Sequence, residues 1–332
     1  MLNRTLKNVV LPLVLFPALT ALAFKYSLAR VPTTSLALKL KDECASQSSS
    51  PYALSYTGHL KVDGVLCRLV TFFHTTMDDD LGLQFLAYFI GTGAILALLP
   101  GIEASRSRKN PLLAFPLLWL LASQVFTLGA TMTVYALVFI LTGAHRKGTK
   151  EQKEITQAYA ESLIFALLVG AVAPSLCLVI LKDPQVTALW QIYPVFMSVA
   201  GGIHLLIRSP SKVAGSGWTS IQVLLLGIFM LSSSLHFSTV WPIINEPATI
   251  QQLLIPSIAP LPSSASPALA ALDFLQWDYV FAFVSLMFVS FWFAQSVIQF
   301  FALLVWYIVM TPVAGPGAAL AGVFLWREAQ LH

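Results

Sequence analysis

The feature that most constrains the fold of this chain is a series of long apolar segments separated by short polar ones. A helix needs about 20 apolar residues to cross roughly 30 Å of hydrocarbon. Segments of this length predict an all-α fold, a polytopic transmembrane helix bundle of about eight spans. The predicted spans cover residues 9–28, 81–99, 112–142, 159–181, 186–207, 221–241, 279–298 and 302–326.

The last two predicted spans come from one apolar stretch, residues 279–326, which is long enough for two crossings. We divide this stretch near Gln299, because Gln295 and Gln299 are its strongest polar interruption. The loops are mostly short, so we predict one integral membrane domain, residues 1–332. Only 10% of the 332 residues are charged, against about 25% in a typical soluble domain. This composition excludes a soluble enzyme, and any chemistry must use groups inside the bundle or at its rim.

Membrane orientation stays open, because basic residues lie on both sides of any alternating topology. Arg4 and Lys7 precede the first span, as in a signal peptide, but Lys25 stands where a small-residue cleavage site would be, which favours a retained anchor. We expect a multi-pass protein of the endoplasmic reticulum membrane. Cys44 and Cys67 share one loop, where a disulfide would require a lumenal position, and unpaired thiols are the favoured interpretation.

The densest acidic run, Asp78, Asp79 and Asp80, lies where the chain enters the second span. Closely spaced carboxylates raise the pKa of one another, so one of them could serve as a proton donor. Asp also favours helix N-termini, and helix capping is an equally supported interpretation. Gln84 and Tyr88 follow Asp80 at helical spacing, so we expect Asp80 to point into the bundle.

Four further polar residues are candidates for chemistry, because ionisable groups within hydrocarbon normally face a bundle interior or a wet cavity. Glu103 ends the second span, where a surface ion pair with nearby Arg106 is the alternative. Glu161 and Asp278 lie where we expect spans to begin, and we predict that both face one cavity. His236 could relay a proton, although a hydrogen-bonded structural histidine is the commoner situation.

Aromatic residues make up 12% of the chain, and most should face lipid or form interface belts. Those that line a cavity would stabilise a cation through their ring quadrupoles. Together with Gln84, Tyr88 and His236, the aromatic candidates for substrate binding are Trp190, Tyr193, Trp277 and Trp292.

Three motifs together resemble a known family: residues 74–82 (HTTMDDDLG), 101–106 (GIEASR) and 183–191 (DPQVTALWQ). They are similar to the membrane-bound terpene cyclases of fungal meroterpenoid pathways, in the group of the ascofuranone and macrophorin cyclases. The resemblance implies that an acid protonates a terminal epoxide or olefin of a farnesylated phenol or polyketide, which then cyclises through carbocations. It implies no metal or redox cofactor. The expected partners are this small molecule and the lipid bilayer, and nothing indicates nucleic acid.

Two other classes of function compete with an enzyme. A small-molecule or lipid transporter should have a polar path through the membrane midplane, broken helices and paired repeats. In this sequence the central polar groups are mostly Ser, Thr and Gln, and charges cluster at span ends, which favours the enzyme. A non-catalytic assembly factor is the third alternative. The sequence does not indicate the oligomeric state of the protein.

Overall fold

The computed structural model describes residues 4–45, 49–106, 110–146, 154–210 and 216–331, and the regular elements in these ranges are all helical. In chain order the α-helices are α1 (Leu11–Tyr26), α2 (Ser35–Glu43), α3 (Leu60–Met77), α4 (Asp80–Thr92), α5 (Ala94–Ala104), α6 (Pro116–Phe126), α7 (Leu128–Leu141), α8 (Gln157–Leu167), α9 (Ala173–Leu181), α10 (Pro184–Trp190), α11 (Tyr193–Ile207), α12 (Trp218–Val240), α13 (Pro247–Leu254), α14 (Pro267–Ser290), α15 (Val297–Ala314) and α16 (Pro316–Leu331).

Within the described ranges, six helical segments are long and apolar enough to cross a membrane. They are Leu6–Thr33, Asp80–Ala104, Gln157–Leu181, Trp218–Ile243, Pro267–Phe293 and Val297–Ala314. A seventh is formed by α10 and α11, if a pair bent by 62° counts as one span. The predicted class, an all-helical membrane protein, is therefore confirmed, while the number of such segments is six or seven instead of about eight.

The predicted span 112–142 is not one helix but the hairpin of α6 and α7. The rings of Trp119 and Tyr135 are 5.3 Å apart, whereas a straight helix would separate these positions by about 24 Å. The chain reverses at Thr127, whose φ is 74°. The far end of α7 returns to the helix ends near Glu103, because Arg327 bonds both Glu103 and the carbonyl of Ala144. The hairpin thus enters the bundle and leaves it at the same end.

Two other predicted boundaries are wrong for related reasons. The helix that contains Asp278 begins at Pro267, so residues 279–298 do not start a span, and Asp278 lies in the middle of α14. The predicted span 302–326 is broken at Gly315, where φ is 88° and a Cβ atom would lie 2.9 Å from Nδ1 of His236. Glycine permits this close turn between α15 and α16.

A helix that the sequence analysis missed, α3, covers residues that we had assigned to a loop. Its second half is buried, and it carries Cys67, which forms a disulfide bond with Cys44 just after α2. The expectation of unpaired thiols is therefore wrong. The disulfide joins α3 to α2 and fixes this helix over one end of the bundle.

Candidate functional site

A cavity of about 530 Å³ lies inside the bundle, beneath α3 and beside the tip of the α6–α7 hairpin. Its size is within the usual range for small-molecule sites, about 300–1,000 Å³. The wall is mainly aliphatic and aromatic, with residues from α4, α5, α9, α12 and α14. Arg68 and Asp278 are the only charged residues among the described residues that line it.

Aromatic rings form two neighbouring parts of the cavity wall. On one part, the rings of Phe72 and Phe274 are 5.2 Å apart. On the other, Phe73 lies 5.0 Å from Trp190, and Trp190 lies 5.6 Å from Tyr193. These faces are electron-rich, so they would attract a positive charge that develops in the cavity.

Asp278 lies at the cavity wall against the tip of the hairpin. Its carboxylate accepts hydrogen bonds from the backbone N–H groups of Gly129 at 2.6 Å and Leu128 at 3.2 Å. These N–H groups belong to the first turn of α7, where the helix itself provides no acceptor. In the described part of the chain Asp278 has no cationic partner. The N–H groups and the positive end of the α7 dipole would stabilise a carboxylate after it releases a proton.

The tip of the hairpin is held in an unusual conformation. Thr127 has φ 74° and ψ 155°, a region that is almost restricted to glycine and that costs of order 1–3 kcal/mol. Its side chain caps α7 by accepting a hydrogen bond from the N–H of Ala130. At Gly129, an added Cβ would lie 2.7 Å from the carbonyl oxygen of Asp278. The absence of a side chain there lets α7 approach the acid closely.

Of the residues predicted from the sequence, the structure places Asp278, Trp190 and Tyr193 in the cavity wall. The other candidates have positions outside it, and most of them have a clear structural partner. Arg68 and Phe274 were not predicted as site residues. Arg68 lies on α3, which we expected to be a loop, and Phe274 precedes residue 279, where we expected the span to begin. The spacing of Arg68 and Phe72, four residues apart, could have indicated the inner face of α3.

The acidic run at residues 78–80 supports the capping interpretation. Asp79 is the N-cap of α4 and accepts a hydrogen bond from the N–H of Gly82 at 2.8 Å. Asp78 and Asp80 are exposed, and the expectation that Asp80 points into the bundle is wrong. Gln84, one turn later, is exposed as well.

Glu103 belongs to a buried ionic cluster at the other end of the span formed by α4 and α5. It bonds to Arg106 at 3.0 Å and to Arg327 at 2.6 Å, and Arg106 also bonds to Glu328. The Arg327 guanidinium also lies 4.6 Å from the ring of Phe293. These ion pairs join the end of α5 to α16. The two acids and two guanidinium groups balance in charge, so the cluster leaves no free acid.

Glu161 does not share the cavity with Asp278, contrary to our prediction. Its carboxylate pairs with Arg208 at 3.0 Å and lies 3.4 Å from His204, near the start of α8 and the end of α11. It is partly exposed and does not line the cavity. A common active site for the two acids is therefore excluded by this geometry.

Tyr88 and His236 belong to a hydrogen-bonded chain that joins α4, α12 and α15. Nε2 of His236 lies 3.1 Å from the carbonyl oxygen of Pro312, and Nδ1 lies 2.9 Å from the Tyr88 hydroxyl. A carbonyl only accepts, so Nε2 carries the hydrogen and Nδ1 accepts from Tyr88. This arrangement is that of a structural histidine, and neither side chain lines the cavity.

The remaining two aromatic candidates also hold helices together. Trp277 stacks on Tyr26 at 4.4 Å and donates its indole N–H to the carbonyl of Ser257. Trp292 donates to the carbonyl of Lys7, near the start of the first span. Neither lines the cavity.

The apolar helices and the cavity define a helical membrane protein with an apolar cavity in its bundle. The family model of the CtvD domain matches residues 9–331, and the chain belongs to this family. Membership indicates a role in secondary-metabolite biosynthesis. Neither a curated protein nor a solved structure shows significant similarity to the chain.

Proposed function

We propose that this protein is a membrane-bound terpene cyclase of meroterpenoid biosynthesis, acting on a farnesylated phenol or polyketide. The observation that carries the proposal is an acid, Asp278, in the wall of an aromatic, apolar cavity, with no cationic partner among the described residues. Membership of the CtvD domain family supports a biosynthetic role. The mainly apolar lining of the cavity suits an isoprenoid chain.

In the proposed reaction, the protonated Asp278 gives its proton to the oxygen of a terminal epoxide. The C–O bond to the more substituted carbon opens, and the oxygen remains on the chain as a hydroxyl group. A terminal olefin would take the proton on carbon instead. The N–H groups of Leu128 and Gly129 then stabilise the carboxylate, which lowers the barrier to proton transfer.

The alkene electrons of the chain next form carbon–carbon bonds, and each closure moves the cation along the folded substrate. The rings of Phe73, Trp190 and Tyr193 lie where they could stabilise these cations. The final cation loses a proton to a base or is captured by the hydroxyl of the substrate head, which releases its proton. That proton restores the acid, so the overall reaction is an isomerisation that consumes no cofactor.

We place the protein in the endoplasmic reticulum membrane, with α2 and α3 facing the lumen. The Cys44–Cys67 disulfide supports this orientation, because disulfides persist in oxidising compartments. The bundle then has about eight crossings if α10–α11 and α16 are included. α16 is short for a crossing, at 16 residues, and the charges that it carries on Arg327 and Glu328 are paired in the buried cluster.

A transporter is the second candidate, since the α6–α7 hairpin is a broken, re-entrant element of the kind that transporters use around their substrate. Transport predicts movement of an unchanged molecule across the membrane. Cyclisation predicts a product of identical mass with at least one new ring along the isoprenoid chain.

The test uses purified protein in phosphatidylcholine nanodiscs, incubated with a farnesylated phenol that carries a terminal epoxide. Mass spectrometry and NMR would identify a cyclic isomer if the proposal is right. Unchanged substrate, together with protein-dependent flux of the same compound in sealed proteoliposomes, would instead support the transporter.

A further inference from the structure

The second charged residue in the cavity wall, Arg68, has no assigned role. It is exposed and makes no hydrogen bond or ion pair with any residue in the described ranges. An unpaired guanidinium beside an apolar cavity is available for an anionic or strongly hydrogen-bonding group of a ligand.

The position of Arg68 relative to Asp278 follows from two helices that face each other. Arg68 and Phe72 are one turn apart on α3, and Phe274 and Asp278 are one turn apart on α14. The rings of Phe72 and Phe274 are 5.2 Å apart, so this ring pair joins the two helix segments that carry the charged groups, and all four residues line the cavity.

The disulfide fixes the helix that carries this cation. Cys67, the residue immediately before Arg68, is bonded to Cys44 at a Cα–Cα distance of 5.9 Å. The backbone of α3 is thereby tied to α2 at this point. A recognition group gains most when its backbone is held in place before the ligand binds.

We infer that Arg68 binds an acidic head group, a carboxylate or phenolate, and so orients a prenylated substrate with its reactive end at Asp278. The inference rests on the proposed cyclase function and names its substrate class. The opposite charges impose the direction: an anionic head is attracted by Arg68 and repelled by ionised Asp278. The apolar chain then extends along Phe72 and Phe274 towards the acid.

The test compares two matched compounds, a farnesylated hydroxybenzoic acid with a terminal epoxide and its methyl ester. Arg68→Met should raise KM for the acid about ten- to hundredfold, as expected for the loss of a charge-assisted hydrogen bond. KM for the ester and kcat for both compounds should change less than about threefold. Arg68→Lys, which keeps the charge, should restore part of the affinity for the acid.

Lys61→Met is the matched control, because Lys61 is an exposed cation on the same helix that does not line the cavity. It should leave KM for both compounds unchanged. An arginine that meets only lipid phosphates would affect acid and ester alike. Equal losses for the two compounds, or no loss for the acid, would overturn the inference.

Binding of the saturated, epoxide-free analogues of the same acid and ester separates this inference from the proposed reaction. Calorimetry in phosphatidylcholine nanodiscs should show tighter binding of the acid, with the difference removed by Arg68→Met. This result stands even if no substrate is cyclised, in which case the proposed function fails alone. Cyclisation without any preference between acid and ester, in turnover or in binding, would refute only the role of Arg68.

Discussion

Asp278 and Glu103 are two carboxylates that are buried to the same degree, at 7% and 6% exposure, yet their surroundings differ in charge. Glu103 meets two guanidinium groups in a closed cluster. Asp278 meets two backbone N–H groups and an open cavity. A paired acid is held in one charge state, whereas an acid held only by neutral donors can exchange a proton with a ligand. Burial alone therefore does not distinguish a catalytic acid from a structural one.

The largest expected effect is on turnover at the cavity acid. Asp278→Asn removes the transferable proton, so we predict a loss of about 10²- to 10⁴-fold in kcat, the usual contribution of general acid catalysis. The control is Asp273→Asn on the same helix, because Asp273 is also buried and accepts a backbone N–H, that of Ser257. Asp273 lies outside the cavity wall.

Turnover per folded molecule should be near normal in Asp273→Asn, measured by mass spectrometry at matched protein levels. If Asp278→Asn cyclises as fast as the wild type, the assignment of the acid is wrong.

At the ionic cluster the expected effect is on stability. Glu103→Gln leaves Arg327 with an uncompensated charge, so the free energy of unfolding should fall by about 3–5 kcal/mol. The double variant Glu103→Gln/Arg327→Met should regain part of this loss, since no unpaired charge is added. Denaturant titration in mixed micelles would measure both. A Glu103→Gln protein of normal stability but without turnover would contradict the distinction between the two acids.

Gly129→Ala should perturb the cavity acid without removing it. The added Cβ would meet the backbone oxygen of Asp278 at 2.7 Å, so α7 must shift away from the carboxyl group. Misplacement of a catalytic group by about 1 Å can cost up to 10²-fold, and we expect kcat to fall about 10- to 100-fold. Gly202→Ala is the control, because its Cβ would meet nothing within 4 Å. Equal rates for the two variants would show that the approach of α7 is unimportant.

The smallest effect is expected at the exposed acidic run. Asp79→Ala removes the N-cap of α4 and should cost about 1 kcal/mol of stability. Asp80→Ala should change the free energy of unfolding by less than about 0.5 kcal/mol, as is usual for exposed positions. Thermal unfolding of both, with turnover corrected for folded protein, is the measurement. A large loss of kcat in either variant would restore the proton-donor interpretation.

The fold class could be predicted because each membrane helix is recognisable from its own segment of the sequence, as an apolar run of sufficient length. The hairpin could not, since Thr127 is not a residue that usually reverses a helix, and its strained conformation is imposed by the contacts around it. α3 was missed because, being partly polar, it gives no hydropathy signal. For this reason Arg68 was not recognised as a cavity residue.

There is a second reason why the sequence identified only part of the candidate site. An ionisable residue in an apolar segment is readable from the sequence, but its partner is not when the two are far apart in the chain. Glu103 and Arg327 meet across two helices that are distant in sequence. Residue type and context were enough to propose Asp278, Trp190 and Tyr193 as site residues. Only the tertiary structure shows that Glu161 lies apart from them.

The most direct test of the central claim is an experimental structure with a farnesylated phenol whose terminal epoxide is replaced by a protonated tertiary amine. This compound mimics the cation formed after ring opening. We predict that its chain fills the cavity and that its ammonium nitrogen lies about 2.7–2.9 Å from a carboxylate oxygen of Asp278 and donates a hydrogen bond to it. An ammonium group paired with Glu161 or Asp80, or a ligand bound outside the cavity, would contradict the account.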